Sequence, residues 1–170
     1  MLSASQGDLY LSVSGKAVCR DELTYIENKL MDFLKERLSN VNKKFPGTAI
    51  FRKFDHAATF YYYSGSSNKP RGMLYLKFGY NLFYDDGRKE IFVSTLGFNT
   101  KNKREDGIGL LDVLNEIAQK FEYEIISFEA DYSVQGWTKR LRLPQIVDIF
   151  PKEFNKVLLD YKNSFTEYNF

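Results

Sequence analysis

Apolar side chains recur at helical spacing in two segments of the chain. In residues 21–38 the recurring positions are Leu23, Ile26, Leu30, Phe33, Leu34 and Leu38. In the segment after Gly109, which ends near Phe121, they are Leu110, Leu111, Leu114, Ile117, Ala118 and Phe121. Spacings of three and four residues place such side chains on one face of a helix. The pattern therefore predicts two amphipathic helices that pack against a core.

Strands are predicted where apolar and aromatic residues alternate or form short runs. These segments are 8–19, 49–54, 57–63, 73–84, 90–98, 125–128 and 146–150. The Asp86-Gly87 pair between two of them is a strong hairpin signal. Residues 64–70, rich in Ser and Gly, are predicted to form a loop. Two further helices are predicted over 134–142 and 152–162.

The predicted order is β-α-β-β-β-β-α-β-α-β-α, which indicates an α/β fold of the mixed α+β kind. The strand at 125–128 follows a helix that itself follows the strand at 90–98. A parallel crossover connection is therefore expected between these two strands. The length of 170 residues fits one domain, over 1–170.

Composition excludes several classes of protein. Hydrophobic residues make up 44% and charged residues 27%, as in ordinary globular domains. No apolar stretch approaches the ~18 residues of a membrane span, and the N-terminus has no basic region typical of a signal peptide. Cys19 is the only cysteine, so no intramolecular disulfide forms. A cytoplasmic location is expected. The net charge of +2 is too small to predict a nucleic-acid partner.

The segment from Arg104 to Gly109 has the sequence Arg-Glu-Asp-Gly-Ile-Gly and lies between a predicted strand and a predicted helix. Unpaired amides at a helix N-terminus and the helix dipole favour an anion there. Gly107 and Gly109 would let a phosphate approach the backbone. The segment therefore predicts a site for a phosphate-bearing ligand.

This arrangement resembles the signature of the GCN5-related N-acetyltransferase (GNAT) family, and the resemblance covers residues 90–141. It implies one domain with a mostly antiparallel central sheet, splayed at a parallel β-α-β crossover, with helices on both faces. It also implies transfer of an acetyl group from acetyl-coenzyme A (acetyl-CoA) to an amine on a small molecule or protein. The cofactor-binding residues that it implies are Leu96 and Phe98, for pantetheine, and Arg104, Glu105, Asp106, Gly107, Ile108, Gly109 and Leu110, for pyrophosphate.

Acetyl transfer to an amine needs a base, and a carboxylate at the edge of the sheet could serve. Glu129 is the best placed candidate, because it follows the strand at 125–128, at the end where α/β crevices open. Glu90 and Asp131 are weaker candidates, and a solvated strand-end carboxylate is the alternative for all three. His56 is the only histidine, so neither a nucleophilic triad nor a metal site is expected.

A non-catalytic protein-binding module is the alternative function, such as an immunity protein or a mobile-element inhibitor with a related α/β fold. The acetyltransferase family often has a general-acid Tyr where this chain has Arg140. Glu105 and Asp106 also place negative charge beside the proposed anion site. In a strand, the run Tyr61-Tyr62-Tyr63 would expose at least one ring as a partner surface. A toxin-type acetyltransferase that acts on charged transfer RNA is a further alternative function. The chain could also form a homodimer.

Overall fold

The computed structural model describes residues 16–38, 48–54, 57–66, 69–80, 82, 86–98, 103–129, 148–153, 155–156 and 159. Its elements are α1 (Arg20–Leu38), β1 (Thr48–Lys53), β2 (Ala57–Ser66), β3 (Lys69–Tyr80), β4 (Lys89–Phe98), α2 (Lys103–Lys120), β5 (Ile125–Phe128) and β6 (Asp148–Ile149). The predicted helix over 134–142 and most of the predicted strand over 8–19 lie outside the described residues.

The six strands form one sheet in the order β1-β2-β3-β4-β5-β6. Neighbouring strands are antiparallel except for β4 and β5, which are parallel with Ile91 opposite Ile126. Helix α2 connects these two parallel strands, so the predicted crossover is confirmed. The mixed α+β class with a mostly antiparallel sheet is confirmed as well.

The hairpin between β3 and β4 turns where its sequence predicts. The carboxylate of Asp86 accepts hydrogen bonds from the backbone amide of Arg88 at 3.1 Å and from its Nε at 2.5 Å. Gly87 has a φ of 80°, a left-handed conformation that glycine adopts without steric cost. The predicted loop over 64–70 is wrong at both ends, because strand pairing continues past a bulge after Ser64 until Ser66 lies opposite Lys69.

Alternation along the strands gives the sheet an inner face, packed on α1 and α2, and an outer face. Inner-face side chains in the core are Phe60, Tyr62, Leu74, Leu76, Phe78, Ile91 and Val93. The helices contribute Ile26, Leu30, Phe33, Leu34, Leu110, Leu111, Leu114, Ile117 and Ala118 to the same cluster. The apolar face predicted for each helix is therefore confirmed. Both long helices of the described residues lie on the inner face, and helices on the outer face stay a prediction.

Helix α2 begins at Lys103, earlier than the predicted start after Gly109. Glu105 and Asp106 lie in its first turn, where negative charge suits the helix dipole. A glycine inside a helix costs about 1 kcal/mol relative to alanine, but Gly109 lets α1 approach closely. A Cβ atom added at Gly109 would lie 3.3 Å from Cε2 of Phe33. Packing between the helices therefore accounts for this glycine.

Helix α2 ends in a left-handed turn that directs the chain back into the core. Glu122 has a φ of 56°, and the amide of Tyr123 donates to the carbonyl of Ala118 at 2.9 Å. This bond is the one that closes a Schellman motif. Tyr123 is thereby buried at the start of the segment that leads into β5. No helix in the described segments is long and apolar enough to cross a membrane.

Candidate functional site

The parallel pair β4 and β5 meets at the sheet edge where the acetyl-transfer site is predicted. Residues from Glu90 to Val93 lie opposite Ile125 to Phe128, and the amide of Glu129 donates to the carbonyl of Val93 at 2.9 Å. Strand β5 ends at Phe128, whereas β4 continues to Phe98. The two strands are therefore hydrogen-bonded up to Val93, and β4 alone extends past that point among the described elements.

A β-bulge at Ser94 marks the place where this pairing stops. Thr95 lies opposite Tyr75 and Val93 lies opposite Leu76, so Ser94 is the extra residue in β4. The Ser94 hydroxyl donates a hydrogen bond to Oε2 of Glu129, whose side chain is exposed. The predicted base is therefore oriented by a neighbour that the sequence did not single out. No local signal marks Ser94, because a bulge depends on the register of two strands.

The two glycines of the predicted phosphate turn lie inside α2. In an α-helix the amide of each residue beyond the first turn donates to the carbonyl four residues earlier. The amides of Gly107 and Gly109 are therefore used within the helix, and the unpaired amides belong to its first turn, Lys103 to Glu105. The glycine pair does not fit a diphosphate turn. Cofactor binding by this segment stays a prediction.

The remaining residues of that segment divide between solvent and the core. Glu105 is exposed, whereas Asp106 is buried in the first turn of α2. Ile108 packs against the core from a half-buried position, and Leu110 is fully buried. Arg104 lies in the first turn of the helix. The segment is thus used largely for packing.

The two strand residues predicted to line pantetheine are both in β4. Leu96 lies opposite Leu74 of β3, and its side chain belongs to the core cluster. Phe98 lies opposite Gly72 at the end of the same pairing. Their backbones are therefore held by β3 on one side, beyond the point where β5 ends.

The outer face of the β1–β3 sheet carries the exposed ring of Tyr61 beside the half-buried ring of Tyr75. Tyr61 is 37% exposed, whereas its neighbour Tyr62 is only 5% exposed. The prediction that one side of the tyrosine run exposes a ring is confirmed. Ile50, 40% exposed, lies opposite Tyr61, which lies opposite Tyr75. The rings of Tyr61 and Tyr75 pack edge to face with 6.2 Å between their centroids. We call Ile50, Tyr61 and Tyr75 the aromatic row.

A row of cationic side chains crosses the same face beside the aromatic row. Arg52 lies opposite Thr59, which lies opposite Lys77. The ammonium of Lys77 stands 5.6 Å from the ring centroid of Tyr75 and 5.3 Å from that of Phe92. These distances are typical of cation–π contacts. Alternation of Met73, Tyr75 and Lys77 with buried leucines is the sequence signal that marks this surface.

Carboxylates contribute little to this surface within the described part of β1 to β4. By strand alternation, the outer-face carboxylate is Glu90, and it is fully buried. The exposed charges that the described strands place on the outer face are therefore positive. The aromatic row and its flanking cations together form a surface that suits an anionic partner with apolar or aromatic groups.

The polar end of the inner face holds a buried ion pair between Glu22 of α1 and Lys89 of β4. The Lys89 ammonium lies 2.9 Å from Oε2 of Glu22, donates to the carbonyl of Phe121 at 2.8 Å and stands 4.7 Å from the ring centroid of Tyr123. Burial, followed by the nearby charge of Glu22, raises the pKa of Tyr123. A phenol held neutral in this way is a poor proton donor. The cluster joins α1, β4 and the end of α2.

The single cysteine of the chain lies at the start of α1. Cys19 is exposed, and its Sγ accepts a hydrogen bond from the amide of Glu22 at 3.4 Å, which caps α1. His56 and Asp131 lie outside the described residues. Within the described ranges, no three His, Cys, Asp or Glu side chains come together in a way that could hold a metal ion.

Comparison with known proteins finds no relative for this chain. No protein-family model, no curated protein and no solved structure matches it. The acetyltransferase resemblance therefore stays a prediction from one segment of the sequence.

Proposed function

We propose that this protein is a recognition module that binds another macromolecule through the outer face of β1 to β3. The observation that carries the proposal is the aromatic row. Tyr61 and Ile50 are exposed there, whereas the core aromatic side chains on the inner face are buried. The proposal follows the alternative function inferred from the sequence, a binding module without chemistry.

The composition of this surface supports a binding role. Tyrosine and arginine are the side chains most enriched among residues that dominate binding energy at interfaces. Here Tyr61 and Tyr75 form the centre, and Arg52 lies at the exposed edge of the described sheet. Leaving rings and an isoleucine in water forgoes about 25 cal/mol for each Å² of apolar area that burial would remove from water. A partner that covers them would recover that free energy.

Site-specific photo-crosslinking in the native cell tests the proposal. A photoreactive phenylalanine analogue replaces Tyr61 on the outer face, and a matched variant carries it at Lys120, an exposed residue of α2. We expect a discrete crosslinked species from position 61 and none from position 120. Equal crosslinking at both positions, or none at position 61, would contradict the proposal.

Acetyl transfer is a second candidate, favoured by one specific observation. The carboxylate of Glu129, hydrogen-bonded by the bulged Ser94, lies at the carboxyl end of the parallel pair and is exposed to an incoming amine. There Glu129 could accept a proton from the amine, while acetyl-CoA would supply the acyl group. Isothermal titration with acetyl-CoA tests this function, and the absence of heat at millimolar ligand would exclude it.

A further inference from the structure

We infer that the partner of the outer face is single-stranded nucleic acid, an inference that rests on the proposed function and names the class of macromolecule. Proteins that bind single strands combine aromatic rings, on which bases stack, with cations that contact the phosphates. Both features occur on the outer face of β1 to β3, beside the buried outer-face residues Glu90 and Phe92 of β4, and the long helices lie on the other face. This is also the arrangement by which four-stranded sheets recognise RNA.

The spacing of the rings supports stacking by successive bases. The centroids of Tyr61 and Tyr75 are 6.2 Å apart, and their planes differ by 72°. The half-buried Tyr63 lies two residues after Tyr61, so it projects from the same face about 7 Å further along β2. The surface thus offers rings both across the strands, from Tyr61 to Tyr75, and along β2, from Tyr61 to Tyr63. A single nucleic-acid strand with unstacked bases could reach all three.

The charges favour an anionic polymer over a second copy of this chain. A symmetric contact of two copies through this face would join two positively charged surfaces, and bringing like charges together is destabilising. Glu90, the carboxylate of this face in the described strands, is fully buried and offers those cations no exposed counterion. Phosphates of a single strand would supply that counterion.

Fluorescence anisotropy with labelled oligouridylate and oligothymidylate of about 12 nucleotides tests the inference, at about 50 mM salt and again at higher salt. We expect at least one of the two to bind, with affinity that falls as salt rises. Tyr61→Ala should weaken binding by about tenfold or more, and Tyr61→Phe should retain it. Circular dichroism confirms that each variant is folded. Binding of both oligomers identifies a general single-strand site, and binding of one alone separates RNA from DNA.

Matched charge reversals show whether binding is located on this face. Lys77→Glu changes the outer face, and Lys120→Glu makes the same change in net charge on the helix layer. We expect the loss of affinity for Lys77→Glu to exceed that for Lys120→Glu by about tenfold. Equal losses, or no loss with Tyr61→Ala, would overturn the inference. A crosslinked partner that is destroyed by protease and resists nuclease would also overturn it, while leaving the recognition function intact.

Discussion

Tyr61 and Tyr62 are adjacent in β2, yet they lie on faces of the sheet with different roles. Tyr62 packs with Phe60 and Leu74 beneath the two long helices, whereas Tyr61 stands exposed beside Tyr75. Burial on the inner face supplies the apolar contacts that stabilise the fold. Its β1 to β3 part keeps equally large side chains partly exposed on the outer face, whereas Glu90 and Phe92 of β4 are buried on the same face. The proposed function therefore assigns the inner face to folding and the outer face of β1 to β3 to binding.

The largest difference in the free energy of unfolding between variants of the two faces is expected from neighbouring residues of β2. Phe60 is fully buried, so Phe60→Ala should lower the free energy of unfolding by about 3–5 kcal/mol. The half-buried Thr59 projects from the outer face, and Thr59→Ala should cost less than about 1 kcal/mol. Urea unfolding measures both. Similar losses for the two variants would show that the outer face is also part of the core.

Removing a lysine tests the same difference for charged residues. Lys89→Met leaves the Glu22 carboxylate buried without its ion-pair partner, which should cost about 3 kcal/mol. Lys77→Met on the outer face removes a cation that contacts two rings, and should cost less than about 1 kcal/mol. Chemical denaturation of both proteins measures the two effects. If Lys77→Met lowered the free energy of unfolding as much as Lys89→Met, the two faces would not differ in their contribution to stability.

Gly109 and Gly97 differ in the space that surrounds an added side chain, so substitutions there compare a packed position with an open one. Gly109→Val forces a branched side chain into contact with Phe33 of α1, so we expect a loss of about 1–3 kcal/mol. A Cβ atom at Gly97 would meet the carbonyl of Met73 only at 4.0 Å, and valine suits a strand, so Gly97→Val should be nearly neutral. Thermal melting of the two variants compares them. A stable Gly109→Val protein would remove the packing explanation for this glycine.

The smallest effect is expected at the solvent side of the helix layer. Lys29, and then Tyr25, lower the pKa of Glu116 through hydrogen bonds of 2.6 Å and 2.5 Å. A lowered carboxyl pKa adds stability above the ordinary value, and this stability is lost as pH falls through the lowered one. Glu116→Gln should therefore cost less than about 1 kcal/mol near neutral pH and nothing in acid. A difference that persists in acid would contradict this assignment.

Local signals predicted much of the fold. Apolar spacing located α1 and the buried face of α2, and Asp86-Gly87 located the hairpin. The start of α2 was missed, because two glycines argue locally against a helix, whereas contact of Gly109 with Phe33 is a tertiary interaction. The pairing of β2 with β3 beyond Ser64 was also missed, because Ser and Gly residues there argue locally for a loop, whereas the pairing depends on the neighbouring strand.

The candidate site was less predictable than the fold. Although the sequence did not say which ring is exposed, the tyrosine run at 61–63 was identified, because a strand directs alternate side chains to opposite faces. Ser94 was not, since its bulge arises from the register between β3 and β4. The net charge of +2 did not reveal that Arg52 and Lys77 share one face, because a sum over the chain says nothing about where charges lie.

The unfolding free energies of Tyr61→Ala and Tyr62→Ala test the central claim most directly, because these residues differ in little except the face they occupy. Tyr62→Ala should lose about 3 kcal/mol, as expected for removing a buried ring. Tyr61→Ala should lose less than about 1 kcal/mol. If Tyr61→Ala is destabilised as strongly as Tyr62→Ala, the outer ring serves the core, and the face is not a surface kept for a partner.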